Sequence, residues 1–331
     1  MREWLQLFRS QTASATFILL LTFYLLGGGE LFSPMGLALI VASLLIHYST
    51  FGQNSLNDFL LGYDKVDPNK KHHPLVSGKI KPEQAIKVIN VMLFLSSLFC
   101  VILALHGANP TLALTFSFLA YTSGYWYNSG FSKVSLLKPI PITIAFTSIG
   151  LYAYFLSAKE LTTLAILCVL YVALTMLFQI GIEGELKDYK DTKEVNILHK
   201  ISKDTFVTLG VILKIVNLLV GMYIASLVWA NLPAISRIAI AIISFLTIVA
   251  SLFIMRYLFN YGLIIYETCR KCRKYVLRYC ALMEILTIYY LLIVLIPKIG
   301  LVNVLFMTIL GIVYFMAMNK INWGTLVAPM V

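Results

Sequence analysis

Charged residues are scarce in this sequence. They make up 12% of its 331 residues, whereas hydrophobic residues make up 60%. Soluble domains carry roughly 25% charged residues, so this composition excludes an ordinary soluble protein and indicates a protein embedded in a membrane. Acidic residues are scarcer than basic ones, with 15 Asp and Glu against 26 Lys and Arg, and the formal net charge is +11.

The chain also lacks a long polar segment that would form a separate soluble domain. Apolar runs of about 20 residues, the length that crosses a bilayer as a helix, recur instead. We count ten of them, at residues 14–32, 34–57, 85–106, 110–127, 139–157, 161–182, 205–229, 233–258, 275–297 and 299–318. The sequence therefore predicts a single all-α domain over residues 1–331, a polytopic membrane bundle of nine or ten transmembrane helices around a central cavity.

Basic residues are nearly absent from the loops on one side of this bundle. Only Lys159, Arg237 and Lys298 fall there, and most other Lys and Arg residues lie on the side of the N-terminus. Since cytoplasmic loops carry the excess of Lys and Arg, we expect a multi-pass protein of the cell membrane whose N-terminus and long loops are cytoplasmic. The same charge favours contact with anionic membrane lipids. No basic soluble face is left for nucleic acid, so we expect no nucleic-acid partner.

The few aspartates are gathered in two of these loops. All of them follow either the second or the sixth apolar run, at Asp58, Asp64, Asp67, Asp188, Asp191 and Asp204. Four runs separate the two clusters, which predicts two pseudo-repeated four-helix halves that each bring one acidic segment to a shared cavity. The expected polar caps are residues 58–84, 128–138 and 183–204.

The spacing within each acidic cluster follows a helix. Positions 54, 57, 58, 61 and 64 share one helical face, and positions 185, 188 and 191 share another. Carboxylate and amide oxygens on two facing ridges suit Mg²⁺, which commonly bridges carboxylates to substrate phosphates. The predicted Mg²⁺ ligands are Asn57, Asp58, Asp64, Asp67, Glu185, Asp188 and Asp191. The alternative is a pair of solvated loops in which acidic and basic charges balance.

Three motifs resemble those of the UbiA superfamily of intramembrane prenyltransferases. The stretch "NDFLLGYD" followed by "PNKKHHPLVSG" resembles the family's N-D-x-x-D-x-x-x-D motif and the basic stretch after it. "ELKDYKD" resembles the second motif, D-x-x-x-D, and "YWYNSGFSK" resembles the family's Tyr…Lys element. The resemblance runs in order and spacing from residue 14 to about 300. The frequent Ile and Lys residues are typical of an archaeal-type member.

The resemblance implies transfer of a prenyl group from an isoprenyl diphosphate donor to a hydrophobic or aromatic acceptor, with Mg²⁺ as the cofactor. The allylic diphosphate would ionise, and the acceptor would attack the resulting cation. The catalytic residues implied are Asp58, Asp64, Asp188, Asp191, Tyr127 and Lys133. The residues implied on the diphosphate side are Asn57, Lys70, Lys71, His73 and Lys187. The acceptor is left open among an aromatic head-group precursor, a glycerolipid and a sugar phosphate.

The sequence departs from the family pattern within the first motif. Leu61 stands where the middle Asp is expected, and Asp64 stands one residue before the expected last Asp. Asp67 offers an extra carboxylate, and His73 replaces the Arg that precedes the proline. These changes predict an altered metal geometry. They also keep open a non-catalytic or divergent relative that binds lipid or diphosphate.

Several other polar or aromatic groups have two interpretations. The cluster Tyr121, Tyr125, Trp126 and Tyr127 either stabilises a carbocation through its ring faces or forms an interfacial aromatic belt. Lys214, Asn217 and Glu284 lie within apolar runs, where ionisable groups usually face the bundle interior, although Lys214 is near enough to an end to snorkel. A secondary transporter would also show many helices, but its decisive charges should lie near the bilayer centre.

Two short patterns also admit a metal site. The adjacent pair His72 and His73 would point in different directions on a regular element, so contact with phosphate is favoured over joint ligation of a metal. The run "CRKC" at 269–272, with Cys280 beyond it, supplies fewer than the four ligands of a structural zinc site. We therefore expect reduced thiols there.

Overall fold

The computed structural model describes residues 1–67, 70–188, 195–265 and 272–325, which contain ten long helices and no β-strand. Each predicted apolar run forms one helix, and the predicted all-α membrane bundle is confirmed. The helices are α1 (Ala13–Leu26), α2 (Pro34–Leu60), α3 (Pro82–Leu105), α4 (Pro110–Trp126), α5 (Pro139–Ser157), α6 (Thr163–Phe178), α7 (Lys203–Val228), α8 (Ala234–Phe259), α9 (Cys272–Val294) and α10 (Leu301–Trp323). Shorter helices are Arg2–Leu7, Ser10–Thr12, Tyr63–Val66, Ser132–Val134, Glu185–Lys187, Ile197–His199 and Ile296–Ile299.

Eight of the helical segments in the described residues are long and apolar enough to cross a membrane. The other two, α1 and α4, have 14 and 17 residues. Large apolar side chains on the outside of the bundle, such as Phe94, Phe118 and Phe245, are 60–70% exposed. In a bilayer these side chains contact lipid tails, which are as apolar as they are.

Capping residues explain where several helices begin. Ser33 precedes α2, and its Oγ accepts a hydrogen bond from the amide of Gly36 at 3.1 Å. Asn109 caps α4 in the same way, accepting from the amide of Leu112 at 3.1 Å. Proline at or near the first helical position of α2, α3, α4 and α5 reinforces these starts, because its ring already has a helical φ and it needs no amide partner.

The helix α1 lies at the centre of the bundle. It packs against α2, α5 and α10, and its aromatic residues Phe17 and Phe23 are almost fully buried. On either side of this centre, α4 packs on α5 and α6 packs on α7, while α8 packs on α9. The largest cluster of buried apolar residues lies around α1 and α5 and extends into both halves of the bundle. Two smaller clusters lie around Phe206 and around Leu7.

Three helices are extended by π-helical segments. Tyr127–Phe131 follows α4, Gln179–Gly184 follows α6 and Asn260–Ile265 follows α8. The segments after α4 and α8 lie four helices apart. This is the spacing expected for the two predicted pseudo-repeated four-helix halves. Wide π-turns occur frequently at functional sites, and the first two segments lie where the acidic and basic motifs begin.

The polar residues inside the apolar helices join helices to one another. Lys214 is 2% exposed, and its Nζ donates to Thr287 Oγ1 at 2.5 Å and to Asn217 Oδ1 at 3.5 Å. Asn217 in turn donates to the carbonyl of Tyr171 at 3.0 Å. Lys214 therefore faces the bundle interior, where it links α7 to α9. It does not snorkel to the end of its helix.

Candidate active site

A cavity of about 420 Å³ lies between helices α1 to α6. This volume is in the range typical of small-molecule sites. Its apolar wall consists of Ile46, Leu93, Ile142, Phe146, Ile149 and Met176. Its polar lining includes Arg9, His47, Gln53, Asn54, Asn128, Gln179 and Lys187. The cavity thus combines a long apolar surface with polar groups contributed by several helices.

The first acidic residue, Asp58, lies directly behind this polar lining. It occupies the last turn of α2 and is 7% exposed. Its Oδ1 lies 3.4 Å from Lys133 Nζ, and its Oδ2 accepts from Asn54 Nδ2 at 3.3 Å. Because Asn54 lines the cavity, the Asp58 carboxylate is one hydrogen bond away from the cavity wall.

The amide of Asn57 fixes the segment that carries Lys133. Its Nδ2 donates to the carbonyl of Asn128 at 2.8 Å, within the π-helical segment after α4. Asn128 donates to the carbonyl of Thr50 at 3.1 Å, which attaches the same segment to α2 a second time. The Lys133 ammonium also lies 5.3 Å from the centre of the Tyr63 ring. The structure therefore brings together three of the predicted site residues, Asn57, Asp58 and Lys133.

The second acidic residue, Asp64, follows a tight turn at Gly62, whose φ of 85° lies in the left-handed region. Asp64 is 4% exposed, with Oδ1 3.4 Å from Lys70 Nζ and Oδ2 3.7 Å from His73 Nδ1. Within the described residues, that Oδ2 has no hydrogen-bond donor. An orphaned buried carboxylate oxygen is costly unless a cation or donor approaches it.

Burial and the positive charges of Lys70 and Arg9 lower the pKa of His73 to about 3, so His73 is neutral near pH 7. Burial and the charge of Arg9 also lower the pKa of Lys70, whereas Asp64 opposes that change. Lys71 is exposed at the surface. Of the predicted basic contacts, Lys70 and His73 thus lie against the acidic motif, and Lys71 does not.

The second acidic segment contributes Asp188, whose side chain is 23% exposed. Burial alone would raise the pKa of Asp188, but the charges of Lys187 and Arg273 outweigh it and hold the pKa below its usual value. Lys187 Nζ lies 3.6 Å from Asp188 Oδ2 and also lines the cavity. The predicted ligand Asp191 lies outside the described residues.

Other groups of the protein occupy the side chain of the predicted metal ligand Glu185. Its Oε1 lies 2.6 Å from Lys138 Nζ, and its Oε2 accepts from the amide of Ile197 at 3.0 Å. Both side chains of the ion pair are almost fully buried, 6% exposed for Lys138 and 3% for Glu185. This pair ties the segment after α4 to the segment after α6.

Two arginines near the site were not found by sequence reasoning. Arg273 Nη1 lies 3.7 Å from Asp67 Oδ2, and its Nη2 lies 3.6 Å from Asp188 Oδ1. Arg9 lines the cavity and has a left-handed backbone, with φ 48° and ψ 44°. Both lie outside the recognised motifs. The only sequence signal was the dense basic run that contains Arg273.

The aromatic cluster at the end of α4 divides between two surfaces. Tyr121, Tyr125 and Tyr127 line the cavity. Trp126 is 49% exposed and lines a separate outer groove of about 430 Å³ together with Leu61. Tyr121 and Tyr127 therefore have the position needed to face a substrate in the cavity. Tyr125, which is 62% exposed, and Trp126 also have the exposure of interfacial anchors.

Leu61 lies in the outer groove and is 54% exposed. An aspartate at this position should therefore not supply a further metal ligand. We expect Leu61→Asp to change the rate of prenyl transfer by no more than about twofold, the usual range for an exposed substitution. Steady-state turnover of the purified variant measures this. A large gain in turnover would mean that position 61 reaches the metal site, contrary to its position in the groove.

The cysteine run adds no metal centre within the described residues, since no three His, Cys, Asp or Glu side chains there form a cluster that could hold an ion. Cys272 and Cys280 are buried. Cys269 lies outside the described residues.

The chain matches the model of the UbiA prenyltransferase family over residues 14–274. A search of curated proteins found no match. Among solved structures, digeranylgeranylglyceryl phosphate synthase has a TM-score of 0.58 at 17% identity, covering 87% of this chain and 96% of that one. A UbiA homolog from Archaeoglobus fulgidus bound to GPP and Mg²⁺ has a TM-score of 0.55 at 16% identity, covering 88% and 99%. The same homolog bound to DMAPP and Mg²⁺ has a TM-score of 0.57 at 16% identity, covering 88% and 98%.

Proposed function

The chain belongs to the UbiA prenyltransferase family, and from this premise we propose that it transfers a prenyl group from an isoprenyl diphosphate to a hydrophobic or aromatic acceptor at the polar end of its cavity, with Mg²⁺ as cofactor. Family membership makes the chain a prenyltransferase, and its membrane-crossing helices make it a multi-pass membrane protein. The observation that carries the finer proposal is the apolar cavity whose polar lining contacts carboxylates from two separate acidic segments.

The residues at this end have the chemistry that a magnesium ion requires. No three acidic, His or Cys side chains of the described residues are grouped closely enough to hold the ion alone, but Mg²⁺ usually keeps several waters and is bound by one or two carboxylates together with substrate phosphates. The buried Oδ2 of Asp64 has no donor among the described residues, and hard carboxylate oxygens are the ligands that Mg²⁺ prefers. We propose that the ion is held by Asn57, Asp58, Asp64, Asp67 and Asp188, with Asp191 as a further candidate. Glu185 is left out because Lys138 and the amide of Ile197 occupy its oxygens. When bound, Mg²⁺ neutralises the charge that develops on a departing diphosphate.

The basic side chains supply the remaining charge for the diphosphate. Lys133, Lys70 and Lys187 each lie within 3.6 Å of a carboxylate of the acidic segments. Ammonium groups in this position donate strong, charge-assisted hydrogen bonds to phosphate oxygens. They would therefore stabilise the leaving group as the allylic C–O bond breaks and its electron pair passes to the diphosphate.

The cavity walls would protect the reactive carbon. The apolar surface around Phe146 and Ile149 excludes water, which would otherwise quench the cation. The ring faces of Tyr121 and Tyr127 stand in the same cavity and can stabilise positive charge. The acceptor would then form its bond to C1 and release a proton.

The orientation of the protein in the membrane is also a proposal. The acidic segments and most Lys and Arg residues lie at the same end of the bundle, so we propose that this end, with the N-terminus, faces the cytoplasm. Membrane lipids are then the expected surroundings of the exposed apolar belt. Residues 1–331 are proposed to act as one domain, because ion pairs connect the segments after α2, α4, α6 and α8.

A second candidate is a non-catalytic relative that binds diphosphate or lipid. The observation in its favour is that Arg273 already pairs with Asp67 and Asp188, two of the proposed metal ligands. A secondary transporter is disfavoured by the location of the aspartates at one end of the bundle and by the family match.

The test uses the full chain purified in detergent with isotope-labelled geranylgeranyl diphosphate and a panel of aromatic, glycerolipid and sugar phosphate acceptors. We expect a prenylated product, detected by mass spectrometry, that forms with Mg²⁺ and disappears when EDTA removes it. Donor binding without any product across the panel would support the non-catalytic relative. Product formation that is insensitive to EDTA would contradict the magnesium proposal.

A further inference from the structure

Arg273 connects the two acidic segments from a third part of the chain. It lies in the first turn of α9, and its two terminal nitrogens reach Asp67 Oδ2 at 3.7 Å and Asp188 Oδ1 at 3.6 Å. The three side chains are only 13–23% exposed. One guanidinium group thus spans the gap between the segment after α2 and the segment after α6.

These two contacts are loose. Charge-assisted N–H···O bonds are usually about 2.7–2.9 Å long, and partly exposed ion pairs contribute little stability each. The remaining nitrogen of the side chain, Nε, is buried and has no acceptor among the described residues. Arg273 therefore has weak contacts that a ligand can replace and a donor that no described residue uses.

A magnesium ion held as proposed above would use the two carboxylates that Arg273 contacts. Asp67 and Asp188 are two of the ligands proposed above for Mg²⁺, and a cation that already sits between them opposes the approach of another. A guanidinium group released from carboxylates is well suited to phosphate, because its planar fork matches two phosphate oxygens. Because Arg273 lies between the two segments, its side chain can compete with Mg²⁺ for these carboxylates and can bind phosphate once it is released from them.

We propose that Arg273 holds the two acidic segments together in the ligand-free protein and becomes a ligand of the donor diphosphate when Mg²⁺ takes over Asp67 and Asp188. This inference rests on the proposed function and adds a diphosphate-binding residue to it. It predicts opposite effects on two affinities, which a purely structural role for Arg273 would not produce.

The first effect concerns the metal alone. In Arg273→Gln, the carboxylates of Asp67 and Asp188 lose a competing cation, so Mg²⁺ should bind the ligand-free protein roughly tenfold more tightly, the size expected from two weak ion pairs. The second effect concerns the donor. Geranylgeranyl thiolodiphosphate, whose C–S bond resists cleavage, should bind roughly tenfold to a hundredfold more weakly at saturating Mg²⁺, as expected for a lost hydrogen bond to a charged group.

Isothermal titration calorimetry of the full chain in detergent measures both affinities, with MgCl₂ alone and then with the thiolodiphosphate. Arg278→Gln is the matched control, because it removes the same charge from α9 while its own guanidinium lies over the Tyr275 ring at 5.6 Å. The control should match the wild-type protein in both titrations. Arg273→Lys keeps the charge but cannot span two carboxylates, so its donor affinity should fall between those of the wild type and Arg273→Gln.

The outcomes separate clearly. Tighter Mg²⁺ binding with weaker donor binding in Arg273→Gln supports the proposal. Weakening of both affinities, or no change in either, overturns it, while the proposed function remains if the wild-type protein binds the thiolodiphosphate. If the wild-type protein binds no thiolodiphosphate, the proposed function itself is overturned. If Arg273→Gln does not fold, as judged by its thermal unfolding, the two titrations of Arg273→Lys decide the question.

Discussion

Replacing Asp58 or Asp188 by alanine is expected to reduce prenyl transfer by about a thousandfold or more and to leave the protein folded. Each carboxylate contacts a lysine at the polar end of the cavity, Asp58 with Lys133 and Asp188 with Lys187. Removing one preorganised electrostatic group from an active site typically costs about 10²–10³ in rate, and the loss of a proposed metal ligand would add to this. Turnover of labelled geranylgeranyl diphosphate measures the effect.

The matched control is Asp204→Ala. Asp204 is an exposed aspartate in the first turn of α7, in the same polar end of the sequence but in no ion pair of the described residues. We expect this variant to keep its activity, which separates a local role from a general effect of net charge. Wild-type rates in both Asp58→Ala and Asp188→Ala would contradict the proposed site.

The second large effect concerns stability. We expect Lys138→Met to lower the free energy of unfolding by about 3–5 kcal/mol, because it leaves the carboxylate of Glu185 buried without its partner. The two charged groups are 2.6 Å apart and almost fully buried. Equilibrium unfolding of the variant in detergent, followed by circular dichroism, measures the change.

The double variant Lys138→Met/Glu185→Leu is the control for this interpretation. Since an apolar pair of similar size is often as stable as a buried ion pair, the double variant should recover most of the lost stability. If Glu185 were a metal ligand instead, Glu185→Gln would weaken Mg²⁺ binding and change stability little. That result would restore the sequence-based assignment of Glu185.

The architecture could be predicted because it depends on local signals. Hydropathy located all ten helices, and charge located the polar ends of the bundle. The motif resemblance placed Asp58 and Lys133 in the same site, and their direct ion pair is seen only in the structure. The departure at Leu61 proved informative as well, since the side chain without a carboxylate lies in the outer groove and not beside the cavity.

Other parts of the site depend on contacts between distant segments, which spacing along one helix cannot reveal. The helical spacing of Glu185 and Asp188 suggested two equivalent ligands, but Lys138 of another segment pairs with Glu185. Arg273 could not be assigned, because nothing in its basic run indicates which acidic residues lie opposite. The division between Trp126 and Tyr127 depends on the π-helical segment that begins at Tyr127, and a hydropathy pattern does not detect this change of helical pitch.

The proposed site is tested most directly by a crystal structure of the protein with geranylgeranyl thiolodiphosphate and Mn²⁺, with anomalous scattering used to locate the metal. We predict a Mn²⁺ peak coordinated by Asp58 or Asp64 together with Asp188, with the diphosphate beside Lys133 and the prenyl chain along Phe146 and Tyr121. A diphosphate bound away from both acidic segments, or a prenyl chain in the outer groove at Trp126 with the cavity left empty, would contradict it.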